Sequence, residues 1–146
     1  MNILCIVQAR MSSTRLPGKV LKDLCGKSVL AHVINRLKKC KKINEIVVAT
    51  TLGKEDDDIE DEAKRLGVSC FRGSKDDVLS RYYYAAKSRN ADIVIRVTSD
   101  CPCIDYKIID EMINIFEIES ISKKIDYFSN TLYKSKGYTR DKGKIK

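Results

Sequence analysis

Ile3-Leu4-Cys5-Ile6-Val7, followed at once by Gln8-Ala9-Arg10-Met11-Ser12-Ser13-Thr14-Arg15-Leu16-Pro17-Gly18-Lys19, decides the fold. Five apolar residues without polar alternation describe a strand covered on both faces, the kind found inside parallel sheets. The polar stretch behind it then leaves the carboxyl end of that strand, where open α/β sheets bind their ligands. It carries the cations Arg10, Arg15 and Lys19 and three hydroxyls. Together with a chain of backbone N–H groups, these suit a polyphosphate, which needs countercharge and many donors. A solvated basic loop is the plainer reading, and composition alone leaves both open.

Outward from this stretch the periodicity alternates. Val29, Leu30, Val33, Ile34 and Leu37 fall at helical spacing, and Ile46–Ala49 is a second buried strand ended by Thr50-Thr51. Ile59, Ala63 and Leu66 mark a helix stopped by Gly67, and 68–71 is a third strand. Val78, Leu79, Tyr82, Tyr83 and Ala86 line the next helix, with its start marked by Ser74 and with Tyr84 alone of the three tyrosines turned outward. Ile93–Ile95 is a fourth strand, and Ile108, Ile109, Met112, Ile113 and Phe116 form a last stripe behind the N-cap candidate Asp105. This β-α-β-α-β-α-β-α order calls for an α/β fold, a parallel sheet with helices on both faces. Asp126–Ser129 is a candidate further strand, and 134–146, with six basic residues and one acid, reads as a flexible basic tail.

The 146 residues suffice for one domain, with 43% apolar and 33% charged side chains, which excludes disordered and low-complexity classes. No run reaches the ~20 apolar residues of a membrane span, and Gln8 and Arg10 interrupt the first apolar run too early for a signal peptide. The expectation is a soluble, cytoplasmic protein with no membrane partner. The net charge of +8 is uneven: residues 1–50 hold 10 basic and 2 acidic side chains, whereas 51–110 hold 10 and 13. A basic first third suits a phosphate-bearing partner. No helix-turn-helix, RNP or finger pattern supports a nucleic acid. The six cysteines include no C-x-x-C pair and meet one histidine, His32, so most read as packing rather than as zinc ligands or disulfides.

Residues just past the other strands extend the candidate site. Asp100, in Thr98-Ser99-Asp100-Cys101-Pro102, either holds Mg²⁺ against phosphate oxygens or caps a turn ahead of Pro102. Arg72-Gly73-Ser74 offers a guanidinium and N–H groups near a helix start. Asp77 and Arg81, four apart, read most simply as a surface pair. Asp56-Asp57-Asp58 with Glu60, Asp61 and Glu62 reads as a solvated helix start. Gly26-Lys27-Ser28 has the end of a Walker A loop, but Leu21 stands where its first glycine belongs.

The segment Gln8–Leu21 resembles the opening signature of the spore-coat polysaccharide biosynthesis F proteins, in the cytidylyltransferase group of CMP-Kdo and acylneuraminate synthetases. The resemblance continues through Glu45–Thr51, Phe71–Ser74, Asp76–Tyr83, Thr98–Pro102 and Ser129–Thr131, and so covers nearly all of residues 1–133 as one nucleotide-binding domain. It implies a three-layer α/β/α Rossmann-like sandwich of the nucleotide-diphospho-sugar transferase type. It also implies transfer of CMP from CTP to a sugar hydroxyl in surface polysaccharide synthesis, with Mg²⁺ as cofactor and pyrophosphate released. By the same resemblance Arg10, Ser13, Arg15 and Lys19 would hold the triphosphate, Ala9 would belong to the nucleotide site and Asp100 would hold the metal, with Arg10, Lys19 and Asp100 as the catalytic residues. Thr50, Arg72, Ser74 and Arg81 would lie near base or ribose. Family members continue past the position of Thr131 into a segment with a Gly-x-Asp-x-Glu-type acidic motif, which supplies a second metal carboxylate, part of the sugar site and much of a homodimer contact. In this sequence Leu132-Tyr133 and the basic tail stand there instead, so a C-terminally shortened, nucleotide-binding half of the enzyme is the expectation.

Overall fold

The computed structural model describes residues 1–122 and 125–130. They fall into two compact units, Met1–Tyr106 and a second beginning at Lys107. In the first, the elements run β1 (Ile3–Gln8), β2 (Asp23–Leu24), β3 (Lys27–Ser28), α1 (Val29–Leu37), β4 (Glu45–Thr51), α2 (Asp57–Arg65), β5 (Ser69–Gly73), α3 (Val78–Ser88) and β6 (Ile93–Thr98). The helix α4 (Tyr106–Ser122) makes up most of what is described of the second.

Strands β5, β4, β1 and β6 lie in that order in one parallel sheet. β1 is central, and Leu4 to Val7 are fully buried, as the unbroken apolar run requires. Parallel strands need crossovers, and these are right-handed. The connections β1-α1-β4 and β4-α2-β5 step the same way across the sheet, so α1 and α2 share a face. Ser28 Oγ, at the N-terminus of α1, donates to Glu62 of α2 at 2.5 Å, which ties the two helices together. The connection β5-α3-β6 runs back the other way and puts α3 on the opposite face. There Ala85, Tyr82 and Ala86 pack on Leu4, Ile6, Val47, Ala49 and Phe71. The result is the three-layer α/β/α sandwich.

Several local expectations are corrected. The strands run further at their carboxyl ends than the apolar runs do: Thr50 and Thr51, Arg72 and Gly73, and Arg96 to Thr98 all stay in the ladder. Helix α3 starts at Val78, because Asp77, not Ser74, is its N-cap and accepts from Ser80 N at 2.8 Å. Ser74 Oγ instead accepts from Asp77 N, in the turn before the cap. Leu79 and Tyr83 point to solvent, Tyr83 as exposed as Tyr84, while Arg81 and Ala85 are buried in their place. Gly26-Lys27-Ser28 belongs to the β2–β3 hairpin. Cys25 and Gly26 there both have positive φ (54° and 81°), the requirement of a two-residue hairpin turn. Asp126–Ser129 forms no strand, and the tail 134–146 lies outside the described residues. No described helix is long and apolar enough to cross a membrane.

Candidate nucleotide site

The order β5-β4-β1-β6 reverses direction at β1, whose own crossover leaves toward β4 while β6 arrives on its other side. At such a reversal the chain segments diverge, and open α/β sheets take their ligands beyond the carboxyl ends of the strands there, here β1 and β6. The loop after β1 is built into this rim by four attachments. Ala9 N–H, buried, donates to Ala49 O at 3.1 Å and continues the ladder. Met11 N–H donates to Asp56 Oδ1 at 2.7 Å. Gly18 N–H closes the loop on Met11 O at 2.9 Å, and its φ of 68° is the left-handed conformation that glycine adopts without strain. Lys19 Nζ then reaches across to Asp100 Oδ2, beyond β6, at 2.7 Å.

Asp56 is therefore not part of a solvated acidic cluster. It is buried, and it also accepts from Thr51 N at 3.1 Å and from the Thr51 hydroxyl. Burial works to raise its pKa, but the N–H and hydroxyl donors outweigh it and hold the carboxyl below its ordinary range. Its neighbours Asp57 and Glu60 stay at the exposed start of α2, where they meet Arg72. An acid five residues past Thr51 was the only sequence signal for this anchor between the loop and β4.

Asp100 is likewise held low, first by the Lys19 ammonium and then by the Thr98 hydroxyl. The pair is partly solvated, and such ion pairs contribute only ~0–1 kcal/mol to stability. Its value lies in placing a cation and a carboxylate together at this rim. Ser13 Oγ accepts from Leu16 N at 3.4 Å inside the closed loop, and Arg10 and Arg15 are exposed.

Arg81 is the feature that the spacing with Asp77 concealed. Its side chain is buried at 1% exposure, and Nε, Nη1 and Nη2 all lack a hydrogen-bond partner among the described residues. Burial pushes its pKa down, and the nearby Arg10 charge pushes the same way, with Asp56 and Tyr82 opposing. Its stem packs over Gly73 at the end of β5, where an added Cβ would stand 3.1 Å from both Arg81 Cγ and Phe71 Cε1. Thr50 is also buried, and its hydroxyl is among the groups that hold the Asp56 carboxyl low. A buried guanidinium without acceptors is a costly arrangement that an anion reaching it would relieve.

Arg72 differs. Its Nε donates to Thr51 O at 2.8 Å, Nη2 to Gly53 O at 2.7 Å, and Nη1 to Asp57 and Glu60. These bonds make it a clamp between β5, the loop after β4 and α2. The candidate residues Ala9, Arg10, Ser13, Arg15, Lys19, Thr50, Ser74, Arg81 and Asp100 thus share the carboxyl rim of the sheet. Among them Arg81 has unused buried donors. Tyr82 adds a support, donating to Gln8 Oε1 at 3.3 Å with the Arg96 guanidinium 5.6 Å from its ring centre.

No group of three or more His, Cys, Asp or Glu side chains among the described residues could hold a metal by itself. Asp100 offers one hard oxygen ligand, which fits Mg²⁺ arriving on a nucleotide, since that ion takes its other ligands from phosphate and water.

The chain matches the cytidylyltransferase family over residues 4–135. It is 37% identical to the spore coat polysaccharide biosynthesis protein SpsF of Bacillus subtilis over 116 residues, covering 77% of this chain and 48% of that protein. It is 36% identical over 115 residues to the 3-deoxy-manno-octulosonate cytidylyltransferase of Geobacter sulfurreducens, covering 77% and 44%. The solved structure of a cytidylyltransferase from Leptospira borgpetersenii superposes with a TM-score of 0.78 at 46% identity, over 81% of this chain and 50% of that one. The chain spans about half the length of these relatives. Sheet order and sequence agree: the fold is that of the nucleotide-diphospho-sugar transferases, and the chain belongs to the cytidylyltransferase family.

Proposed function

We propose that this chain forms the nucleotide half of an enzyme that transfers CMP from CTP to a hydroxyl of a sugar acid, releasing pyrophosphate, in surface polysaccharide synthesis. The observation that carries this reading is the buried Arg81 guanidinium with three unbonded nitrogens, on which the Arg10 charge also bears. In-line attack on an α-phosphate asks the protein for positioning and charge neutralisation more than for covalent chemistry. Arg10, Arg81 and Lys19 supply fixed positive charge, and the loop closed by Gly18 and anchored by Asp56 supplies N–H donors and the hydroxyls of Ser12, Ser13 and Thr14. Lys19 would turn from Asp100 to a phosphate oxygen, and Asp100 would be the residue that holds Mg²⁺, an ion that would supply neutralisation of phosphate charge. Thr50 and Ser74 would lie toward the nucleoside, with Arg72 holding the strand ends around them.

The half-length match favours a second reading for the chain on its own, a nucleotide-binding module without turnover. Catalysis needs a second wall that brings the acceptor hydroxyl to ~3–3.5 Å from the α-phosphate. The test is pyrophosphate release from CTP over a panel of sugar acids, for this chain and for a version extended by a relative's C-terminal half. Release by the extended form, with nucleotide binding but little release by the 146-residue chain, is the expected result. Release from neither, with no nucleotide binding, would sink the proposal.

A further inference from the structure

The segment behind Asp100 holds two thiols that nucleotide transfer does not use. Cys101-Pro102-Cys103-Ile104 is a tight turn closed by Ile104 N–H on Cys101 O at 3.1 Å. Both cysteines are free and exposed, as is Cys25 in the β2–β3 hairpin, whereas Cys5 is buried and Cys40 and Cys70 are partly covered. In such a turn, residues i and i+2 have Cα atoms about 5.5 Å apart, inside the 4.4–6.8 Å range that a disulfide spans. Proline fixes φ of the one residue between the two cysteines, which narrows the conformations that compete with closure. Cys101 Sγ also lies 3.6 Å from Thr98 Oγ1, whose hydroxyl bonds to Asp100. The thiol is thus one contact removed from the carboxylate that pairs with Lys19.

We propose that Cys101 and Cys103 are a thiol-modification site that closes to a disulfide in exchange with a small-molecule disulfide, and that closure weakens nucleotide binding at the adjacent rim. The second half of the proposal rests on the nucleotide reading above; the first does not. One thiolate attacks the small disulfide, forming a mixed disulfide and releasing one small thiol. The second thiolate attacks the protein sulfur of that mixed disulfide, forms the Cys101–Cys103 bond and expels the other small thiol. Two electrons pass from the protein sulfurs to the small disulfide, and the two protons end on the released thiols. Drawing Cys101 Sγ toward Cys103 takes it from Thr98, and the turn that carries Asp100 must adjust. Exposed, short-span disulfides are the labile kind, so a small thiol reverses the closure.

The experiment equilibrates the full chain with glutathione disulfide and digests it unreduced with trypsin. Cleavage after Arg96 and Lys107 isolates 97–107, which contains Cys101 and Cys103 and no other cysteine. The expected peptide is lighter by two hydrogen atoms. CTP titration of the same sample should show affinity lowered at least about fivefold, the lower end of ordinary coupling between sites, and restored by dithiothreitol. Cys103→Ser should bind CTP as the untreated chain does before oxidation, and on oxidation should form no internal bond and stop at a single glutathione adduct on Cys101. Glutathione adducts on both cysteines, links to other cysteines, or a closed disulfide with unchanged affinity would each overturn the proposal. A reduced chain that binds no CTP refutes the nucleotide reading instead, and the thiol site is then judged on the peptide alone.

Discussion

Replacing Arg81 by Met separates a binding residue from a structural one by the opposite signs of its two effects. Met keeps most of the stem volume over Gly73 and removes the charge. In the free protein, three buried nitrogens without acceptors are a liability. An unsatisfied buried polar group costs ~1–3 kcal/mol, and attraction from Asp56 recovers part of that. The net expectation is a gain of about 1–2 kcal/mol in stability on substitution, seen as a rise in Tm of roughly 3–10 °C for a domain of this size. With CTP the sign reverses. Hydrogen bonds to charged groups contribute ~1.5–3 kcal/mol, so affinity should fall about 10- to 100-fold. Thermal melts with and without CTP, paired with calorimetric titration, read both quantities. A lower Tm with unchanged affinity would refute the reasoning and make Arg81 a structural cation.

Other perturbations probe the rim around it. Asp56→Ala strips Met11 and Thr51 of their acceptor and should cost ~2–4 kcal/mol in urea unfolding. The wild-type carboxyl is held below its unfolded pKa, so its stabilisation is complete above pH ~4 and fades as pH falls through the lower folded value. Asp56→Asn should therefore flatten the acid limb of the stability profile; an unchanged limb would remove Asp56 from that role. If Asp100 holds Mg²⁺, Asp100→Asn should lower CTP affinity more in Mg²⁺ than in EDTA, whereas equal losses would mean a turn cap. Lys19→Ala should weaken CTP by ~1.5–3 kcal/mol and leave Tm nearly unchanged, because its ion pair is half-exposed. Gly73→Ala, which would meet Arg81 Cγ and Phe71 Cε1 at 3.1 Å, should weaken nucleotide binding more than Ala at exposed Gly26.

Strands and helices were legible where burial follows from composition. The run Ile3–Val7 could only be a central strand, and the three crossovers then set the layers. The corrections cluster at the carboxyl rim, where polar residues are buried and the apolar pattern stops reporting on structure. Thr50, Thr51 and Arg72 continue ladders that hydropathy ends early. Arg81 sits at a core position of α3 that its charge disguised, and its four-residue spacing from Asp77 suggested a surface pair. Asp56 looked like its exposed neighbours because its partners, Met11 and Thr51, come from other elements and leave no mark in the local pattern. Arg72 shows the converse: a cation just past an apolar run, whose donors the protein itself takes up.

The most direct test of the account is calorimetric titration of the 146-residue chain with CTP, UTP, ATP and GTP, in Mg²⁺ and in EDTA. The account predicts saturable one-to-one binding of CTP in Mg²⁺, weaker binding in EDTA, and weaker binding of the two purine nucleotides. No binding of any triphosphate, with Arg81 intact and the chain folded, would contradict it.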